Sequence, residues 1–163
     1  PRVRAIYEVD VAAPFDLMIV SPGGHPKDIN LYQAQKGMAH AALVTRAGGE
    51  VILVAACPEG TGSEGYERWM LEENPASHDD VLARIARDDF RVGPHKAFQI
   101  ARDATRVRVQ LVSEMPPDFV RRLLLTPATL EAAIACALAG LPPGARVGVM
   151  PLANATIPLL RAR

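Results

Sequence analysis

The residues best suited to chemistry fall on one face of a predicted helix. That helix is predicted to begin at Ile29, and at about 100° per residue one of its arcs carries Tyr32, Gln33, Lys36 and His40. A phenol, an amide and an ammonium thus meet near the positively polarised helix start. This combination of charge and directional hydrogen bonds is suited to holding a small carboxylate, and we call Tyr32, Gln33 and Lys36 the polar stripe. A solvated helix face is the competing interpretation.

The loop in front of this helix has the features of a ligand-binding turn. Residues 21–28 follow the apolar run 17–20, and open α/β sheets bind ligands beyond the carboxyl ends of their strands. Gly23 and Gly24 allow a tight turn or a close approach of backbone to ligand. Asp28 is predicted to cap the helix start. The opposite helix face is predicted to pack in the core through Leu31, Ala34, Met38, Ala41 and Ala42.

Lysine is rare in this chain and is concentrated near the same helix. Arginine supplies the other basic side chains, and the only lysines are Lys27, Lys36 and Lys96. Lysines retained in such a background indicate a need for a compact point charge. Lys96 follows His95 at the start of a later predicted helix, where either side chain can line an anion site. An exposed or structural role is the alternative for His95.

The remaining reactive side chains give weaker signals. Cys57 ends a predicted strand beside a glycine-rich loop, where it is either a reactive thiol or a small buried side chain. Cys136 lies in an alanine-rich helix and is predicted to belong to the core, and His78 is assigned no role. The common nucleotide, zinc and serine-hydrolase motifs do not occur. The residues therefore predict anion binding, with no catalytic residue and no metal site in this chain.

Length and composition fit one domain, residues 1–163. Of the 163 residues 49% are hydrophobic, and 18 basic side chains balance 18 acidic ones. Zero net charge argues against a nucleic-acid-binding protein, and no apolar run approaches the ~20 residues of a membrane span. Two cysteines do not make a disulfide scaffold, so a reducing, cytoplasmic location is expected. The chain begins at Pro1 rather than methionine and is interpreted as a piece of a longer protein.

Short β-branched runs alternate with helical stretches, which predicts an α/β sheet. The runs are residues 17–20, 51–56, 107–112 and 147–150. The predicted helices are residues 29–46, a broken stretch over 63–106, and 117–140. This order predicts a three-layer α/β sandwich with a mainly parallel, Rossmann-like sheet. Gly48 and Gly49 are predicted to end the first helix, and the alternating residues 3–11 predict an edge strand or one that faces a missing neighbour.

Residues 21–37 carry the longest recognisable motif, Ser-Pro-Gly-Gly-His-Pro-Lys-Asp-Ile-Asn-Leu-Tyr-Gln-Ala-Gln-Lys-Gly. This segment resembles the central motif of the C-terminal domain of the nickel-dependent lactate racemase family. Further blocks that resemble the family lie at residues 48–53, 57–64, 93–96 and 149–151. The resemblance implies the C-terminal half of a racemase or epimerase, in which the polar stripe holds a small 2-hydroxy acid. The further candidates for lining that site are Gly23, Gly24, His40, His95 and Lys96.

The resemblance also implies a cofactor that this chain does not itself carry. The family uses a nickel-pincer nucleotide, a pyridinium mononucleotide whose sulfur donors hold nickel, and it accepts a hydride from C2 of the substrate. The family's N-terminal domain supplies the lysine that carries the cofactor, the nickel-binding histidine and the acid/base histidines. The chain alone is therefore expected to be inactive and to need that domain as its partner. Lys96 stands near a position where founding members have an aromatic residue, which implies a larger or more acidic substrate than lactate.

Two other functions stay open at the level of sequence. One is a non-catalytic module that binds a small anion or a nucleotide and keeps the turn at Gly23 and Gly24. The other is an interaction domain that docks another protein through its first strand and its helix face. Two separated histidines and a lysine–histidine pair in the upstream sequence would favour the enzyme over both. The sequence does not determine the oligomeric state.

Overall fold

A computed structural model describes residues 6–87 and 94–161 of the chain. In chain order, the elements of these ranges are β1 (Glu8–Val11), β2 (Phe15–Val20), α1 (Leu31–Val44), β3 (Thr45–Val54), α2 (Glu64–Glu73), α3 (His78–Arg87), α4 (Pro94–Ala104), β4 (Arg108–Val112), α5 (Pro117–Arg122), β5 (Thr126–Pro127), α6 (Leu130–Ala139), β6 (Val147–Met150) and β7 (Ile157–Leu160). A short 3-10 turn, Ala153–Ala155, lies between β6 and β7. In the described ranges no helix is both long and apolar enough to span a membrane.

Five parallel strands form the main sheet, in the order β5-β4-β3-β2-β6. On one face, the larger core joins the sheet to α1 and to the helices α2, α3 and α4. On the other face, Leu17 and Ile52 pack with Ala133 and Ala137 of α6. Helices on both faces of a parallel sheet confirm the predicted three-layer α/β architecture. The strand order also places the ends of β3 and β6 on either side of the end of β2.

The strand predicted at the start of the chain is present over Glu8–Val11 but does not join the main sheet. It pairs in parallel with β7, with Glu8 opposite Ile157 and Val11 opposite Leu160. The sequence pattern did not predict β7, because Pro158 interrupts the apolar residues of this strand. Residues 3–5, the start of the predicted strand, lie outside the described residues.

The first helix is shorter than predicted at both ends. It runs Leu31–Val44 rather than 29–46. Its N-cap is Asn30, whose side-chain oxygen accepts a hydrogen bond from a first-turn amide at 3.1 Å. The prediction of Asp28 as the cap is wrong, because Asp28 lies two residues before the N-cap and its backbone carbonyl pairs with a neighbouring loop. The five core residues predicted on this helix are all buried, which confirms the predicted inner face.

Gly48 and Gly49 do not end the helix, contrary to the prediction; they lie within β3. The helix ends at Val44, and Thr45 is its C-cap: the backbone of Thr45 is already extended, and its hydroxyl donates to the Ala41 carbonyl at 2.8 Å. Gly48 has a φ of +71°, and a Cβ on Gly49 would lie 2.7 Å from the Thr45 side chain. The register between β2 and β3 shifts at the same place. A bulge and a helix C-cap both use glycine at positive φ, so the sequence pattern did not separate them.

The later helices also differ from the predicted stretches. The broken stretch over 63–106 contains α2, α3 and α4, and the stretch over 117–140 is two helices with β5 between them. Cys136 is exposed, so the prediction that it belongs to the core is wrong. α6 turns Ala133 and Ala137 toward the sheet, and the residue before Ala137 points about 100° away from that direction. Small apolar residues on both sides of α6 concealed which side is buried.

Candidate functional site

Three loops from adjacent strand ends converge on the start of α1. The loop between β2 and α1 bonds to the loop after β6, where the Ala153 N–H donates to the Ser21 carbonyl at 2.9 Å. On its other side lies the loop after β3, where the Cys57 N–H donates to the Asp28 carbonyl at 2.8 Å. The loop that leads into the polar stripe is therefore held from both sides at the carboxyl edge of the sheet.

The first amides of α1 are already paired within the protein. The N–H groups of Leu31 and Tyr32 each donate at 2.9 Å, to the carbonyls of Gly60 and Thr61 respectively. The Asn30 side chain accepts from the next amide. Such amides would otherwise form an anion site at a helix start. An anion at this end of α1 would therefore be bound by side chains.

Lys36 and Gln33 form a contact on the outer side of α1. Lys36 is exposed, and its Nζ donates to Gln33 Oε1 at 2.5 Å. Gln33 is half-buried, and its backbone carbonyl accepts from the Asn154 side chain at 3.2 Å, which ties this turn to the loop after β6. An anion that takes the place of the Gln33 oxygen would accept hydrogen bonds from the Lys36 ammonium. The released side-chain amide of Gln33 would lie beside it as a second donor.

His40 faces the loop after β6. Its Nδ1 lies 2.7 Å from the Ala153 carbonyl oxygen, and because a carbonyl only accepts, Nδ1 carries the proton in this contact. One turn earlier, Gly37 lets the loop approach, since a Cβ there would lie 3.0 Å from Ala153 Cβ. His40 thus holds this loop against α1, and its place at the edge of a ligand site stays a prediction.

Gly23 and Gly24 adopt the backbone conformations for which glycine was expected. Their φ angles are +114° and +71°, in the region that L side chains rarely adopt. A Cβ on Gly23 would lie 3.2 Å from the Leu152 side chain. Around a Cβ on Gly24, no heavy atom of the described residues would lie within 4 Å. There is open space beside Gly24, and contact with a ligand there stays a prediction.

Lys96 approaches the polar stripe from α4. It is 5% exposed, and its Nζ lies 4.0 Å from the centroid of the Tyr32 ring. The same ammonium donates to Oε1 of Gln35 at 3.1 Å and to Oε1 of Gln99 at 2.8 Å. The ring of His95 meets the Tyr32 ring in a T-shaped arrangement, with centroids 6.1 Å apart. The fold therefore joins two groups of predicted site residues that are far apart in sequence.

Lys96 lies in an environment that disfavours its charge. Burial lowers the pKa of Lys96 below its ordinary value, and the positive charge of Lys36 lowers it further. Among the described residues, the Lys96 ammonium donates hydrogen bonds to the amide oxygens of Gln35 and Gln99. Sequence reasoning missed both glutamines. Gln35 belongs to neither of the two faces assigned to the helix, and only its buried contact with α4 reveals it.

Burial dominates the surroundings of Cys57, and also those of His78, which was assigned no role. It raises the pKa of the buried Cys57 thiol to about 12, with smaller contributions from the carboxylates of Asp28 and Glu114, so this thiol is protonated at neutral pH. Burial also lowers the pKa of His78, at the start of α3. Across residues 6–87 and 94–161, no group of three or more His, Cys, Asp or Glu side chains is placed to hold a metal ion.

Two lactate racemases are similar to this chain in sequence. The enzyme from Thermoanaerobacterium thermosaccharolyticum is 34% identical over 121 residues, which cover 72% of this chain and 28% of that protein. The enzyme from Lactiplantibacillus plantarum is 32% identical over 139 residues, which cover 83% of this chain and 33% of that protein. The chain thus spans about a third of the length of these relatives.

Solved structures and a family comparison agree with these relatives. The lactate racemase apoprotein from T. thermosaccharolyticum matches 99% of this chain and 39% of its own, with a TM-score of 0.86 and 30% identity. A Thermotoga maritima protein that is 14% identical matches 95% of this chain and 39% of its own with a TM-score of 0.62, which supports the fold alone. Residues 10–157 match the lactate racemase C-terminal domain family, as the motif over residues 21–37 indicated. This chain belongs to that family.

Proposed function

We propose that this chain is the substrate-holding part of a 2-hydroxyacid racemase or epimerase. Its family membership and its lactate racemase relatives support an isomerase of this type. The observation that carries the proposal is the contact of Lys36 with Gln33, in which an amide oxygen accepts from an exposed ammonium at 2.5 Å. A carboxylate is a stronger acceptor for an ammonium than an amide is, so a 2-hydroxy acid can replace the amide.

Each residue of the polar stripe has its own task in this proposal. Lys36 neutralises the substrate carboxylate, and the Gln33 side chain, once released, donates to its second oxygen. Tyr32, whose ring contacts His95 and Lys96, presents its phenol as a further donor. A carboxylate held at two points keeps C2 in one orientation, which removal and return of a hydride at a single carbon require.

We place the nickel-pincer nucleotide and the acid/base histidines in an N-terminal domain of the full-length protein. When bound, that cofactor supplies the hydride acceptor for C2. The described residues do not fit a nickel site, because they contain no suitably placed group of three metal-ligating side chains. The part played by this chain is therefore to bind and orient the substrate, and the chain alone is proposed to be inactive.

The full-length protein, loaded with its cofactor, provides the test. Chiral chromatography follows the interconversion of enantiomers or epimers across a panel of 2-hydroxy acids and aldonates, beginning with lactate. The full-length protein should convert at least one member of the panel, and the 163-residue chain should convert none. Binding without conversion would favour the non-catalytic anion-binding module. The absence of both binding and conversion would contradict the proposal.

A further inference from the structure

Lys96 is a buried positive charge whose described contacts are all to uncharged groups. It is 5% exposed, and its ammonium is surrounded by the amide oxygens of Gln35 and Gln99 and by the face of the Tyr32 ring. These groups replace only part of the hydration that an ammonium has in water, so burying it is unfavourable. An uncharged side chain such as methionine would serve packing better at this position.

Tyr32 connects this charge to the polar stripe. Its backbone is fixed in the first turn of α1, where its N–H donates to the Thr61 carbonyl at 2.9 Å. Its ring has Lys96 over the face and His95 in a T-shaped contact. Lys36 lies one turn further along α1, and its charge acts on Lys96. The two ammonium groups repel each other, so an anion bound at the stripe relieves that repulsion.

We propose that Lys96 is a positioning residue for the polar stripe, which holds the Tyr32 ring and adds positive charge behind the anion without touching it. This inference rests on the proposed function, because it requires that the stripe binds a 2-hydroxy acid. It differs from the role implied by the family resemblance, in which Lys96 meets the variable end of the substrate. A residue acting at the shared carboxylate end changes the affinity for every 2-hydroxy acid by a similar factor. A residue at the variable end changes the ratio between acids.

Anion titration of the 163-residue chain, followed by the NMR signals of the α1 amides at constant ionic strength, tests this inference. The probes are lactate and gluconate, two monoanions that share a 2-hydroxycarboxylate end and differ in length beyond it. The variants are Lys96→Met, Lys96→Arg and Lys36→Met. Arg122→Met is the control for the loss of one positive charge, because Arg122 is exposed at the end of α5, outside the stripe and the loop before it.

Lys96→Met should weaken the binding of both probes by about fivefold, the size expected for one charge several ångströms from the anion. The same variant should unfold at a higher urea concentration than the wild type, because a buried charge has been removed. Lys96→Arg should recover part of the affinity, since it returns a cation to the Tyr32 ring. Reduced affinity together with increased stability, and rescue by arginine, would not arise from a lysine that only packs.

Three results would overturn the inference. Unchanged affinity in Lys96→Met with weakened binding in Lys36→Met would reject the role of Lys96 and leave the proposed function in place. A loss confined to gluconate would assign Lys96 to the variable end of the substrate. No binding of either probe by the wild-type chain would reject the proposed function and the inference together. If Lys96→Met does not fold, Lys96→Gln takes its place as the neutral variant with the same outcomes.

Discussion

A lysine contacts a glutamine on each of two sides of α1, and the lysine is exposed in one contact and buried in the other. On the outer side, Lys36 is exposed and donates to Gln33 at 2.5 Å. On the side that faces α4, Lys96 is 5% exposed and donates to Gln35 and Gln99. The exposed ammonium keeps much of its hydration and can exchange its partner at little cost. The buried ammonium cannot, because its amide partners replace the water that it has lost.

In the proposed function, this difference separates a residue that binds the ligand from one that arranges the site. A change at Lys36 should alter activity and leave stability unaffected, because water surrounds that side chain in any case. A change at Lys96 should alter both properties, and in opposite directions. Four predictions test this contrast.

Under the proposed function, Lys36→Ala in the full-length protein should have the largest effect. Loss of a charge-assisted contact with the substrate carboxylate costs about 2–4 kcal/mol, which is a fall of about 30- to 1,000-fold in kcat/KM. The free energy of unfolding should change by less than about 0.5 kcal/mol, because the side chain is exposed. Steady-state kinetics and urea denaturation measure the two quantities, with Arg122→Ala, at an exposed position in α5, as the control. Near-normal kcat/KM for every acid tested would remove Lys36 from the site.

Lys36→Arg should fall between the wild type and Lys36→Ala. The guanidinium keeps the charge, but its planar fork is longer and holds the carboxylate at a different distance from C2. We expect a loss of about tenfold in kcat/KM, or about 1.4 kcal/mol. Full activity with arginine in the same kinetic assay would show that charge alone matters at this position, and that the compact shape of lysine does not.

Lys96→Met should increase the free energy of unfolding of the chain by about 1 kcal/mol, because it replaces a buried charge, whose contacts among the described residues are to uncharged groups, with an apolar side chain. Lys36→Met, the matched variant on the exposed side, should leave it within about 0.5 kcal/mol of the wild type. Urea denaturation of the three proteins measures the difference. A clear loss of stability in Lys96→Met would show that the contacts to Gln35, Gln99 and the Tyr32 ring outweigh the cost of burial.

The smallest expected effect is a change with pH in the difference in unfolding free energy between Lys96→Met and the wild type. The pKa of Lys96 in the folded chain lies below its ordinary value of 10.5, so the unfolded chain binds this proton more strongly than the folded chain does. Stability of the wild type should therefore rise as pH increases through the folded pKa toward 10.5. The stability advantage of Lys96→Met should shrink over the same range. The other groups at this contact, Lys36, His95 and Tyr32, are present in both proteins, so a difference that stays constant with pH would contradict the burial of a charged Lys96.

Patterns along the sequence predicted much of this region correctly. The spacing of Leu31, Ala34 and Met38 identified the buried side of α1, because helical geometry fixes which residues share a side. The same geometry placed Lys36 in solvent. The ends of the elements were harder to predict from the sequence. Asp28 and Asn30 both belong to residue types that cap helices, and only the fold shows that Asn30 is the cap.

Sequence patterns predicted the alternation of helices with the strands β2, β3, β4 and β6, and the inner side of α1, because these depend on local periodicity and residue type. They did not predict β5 or β7, which are short and contain proline. Tertiary structure alone decided the surroundings of Lys96. Whether that charge meets water, a carboxylate or an amide depends on how α4 packs against α1, and this contact joins Lys96 to Gln35 and Tyr32 over a long stretch of chain. Periodicity describes one helix at a time. The electrostatics of a buried charge depend on every element packed around it.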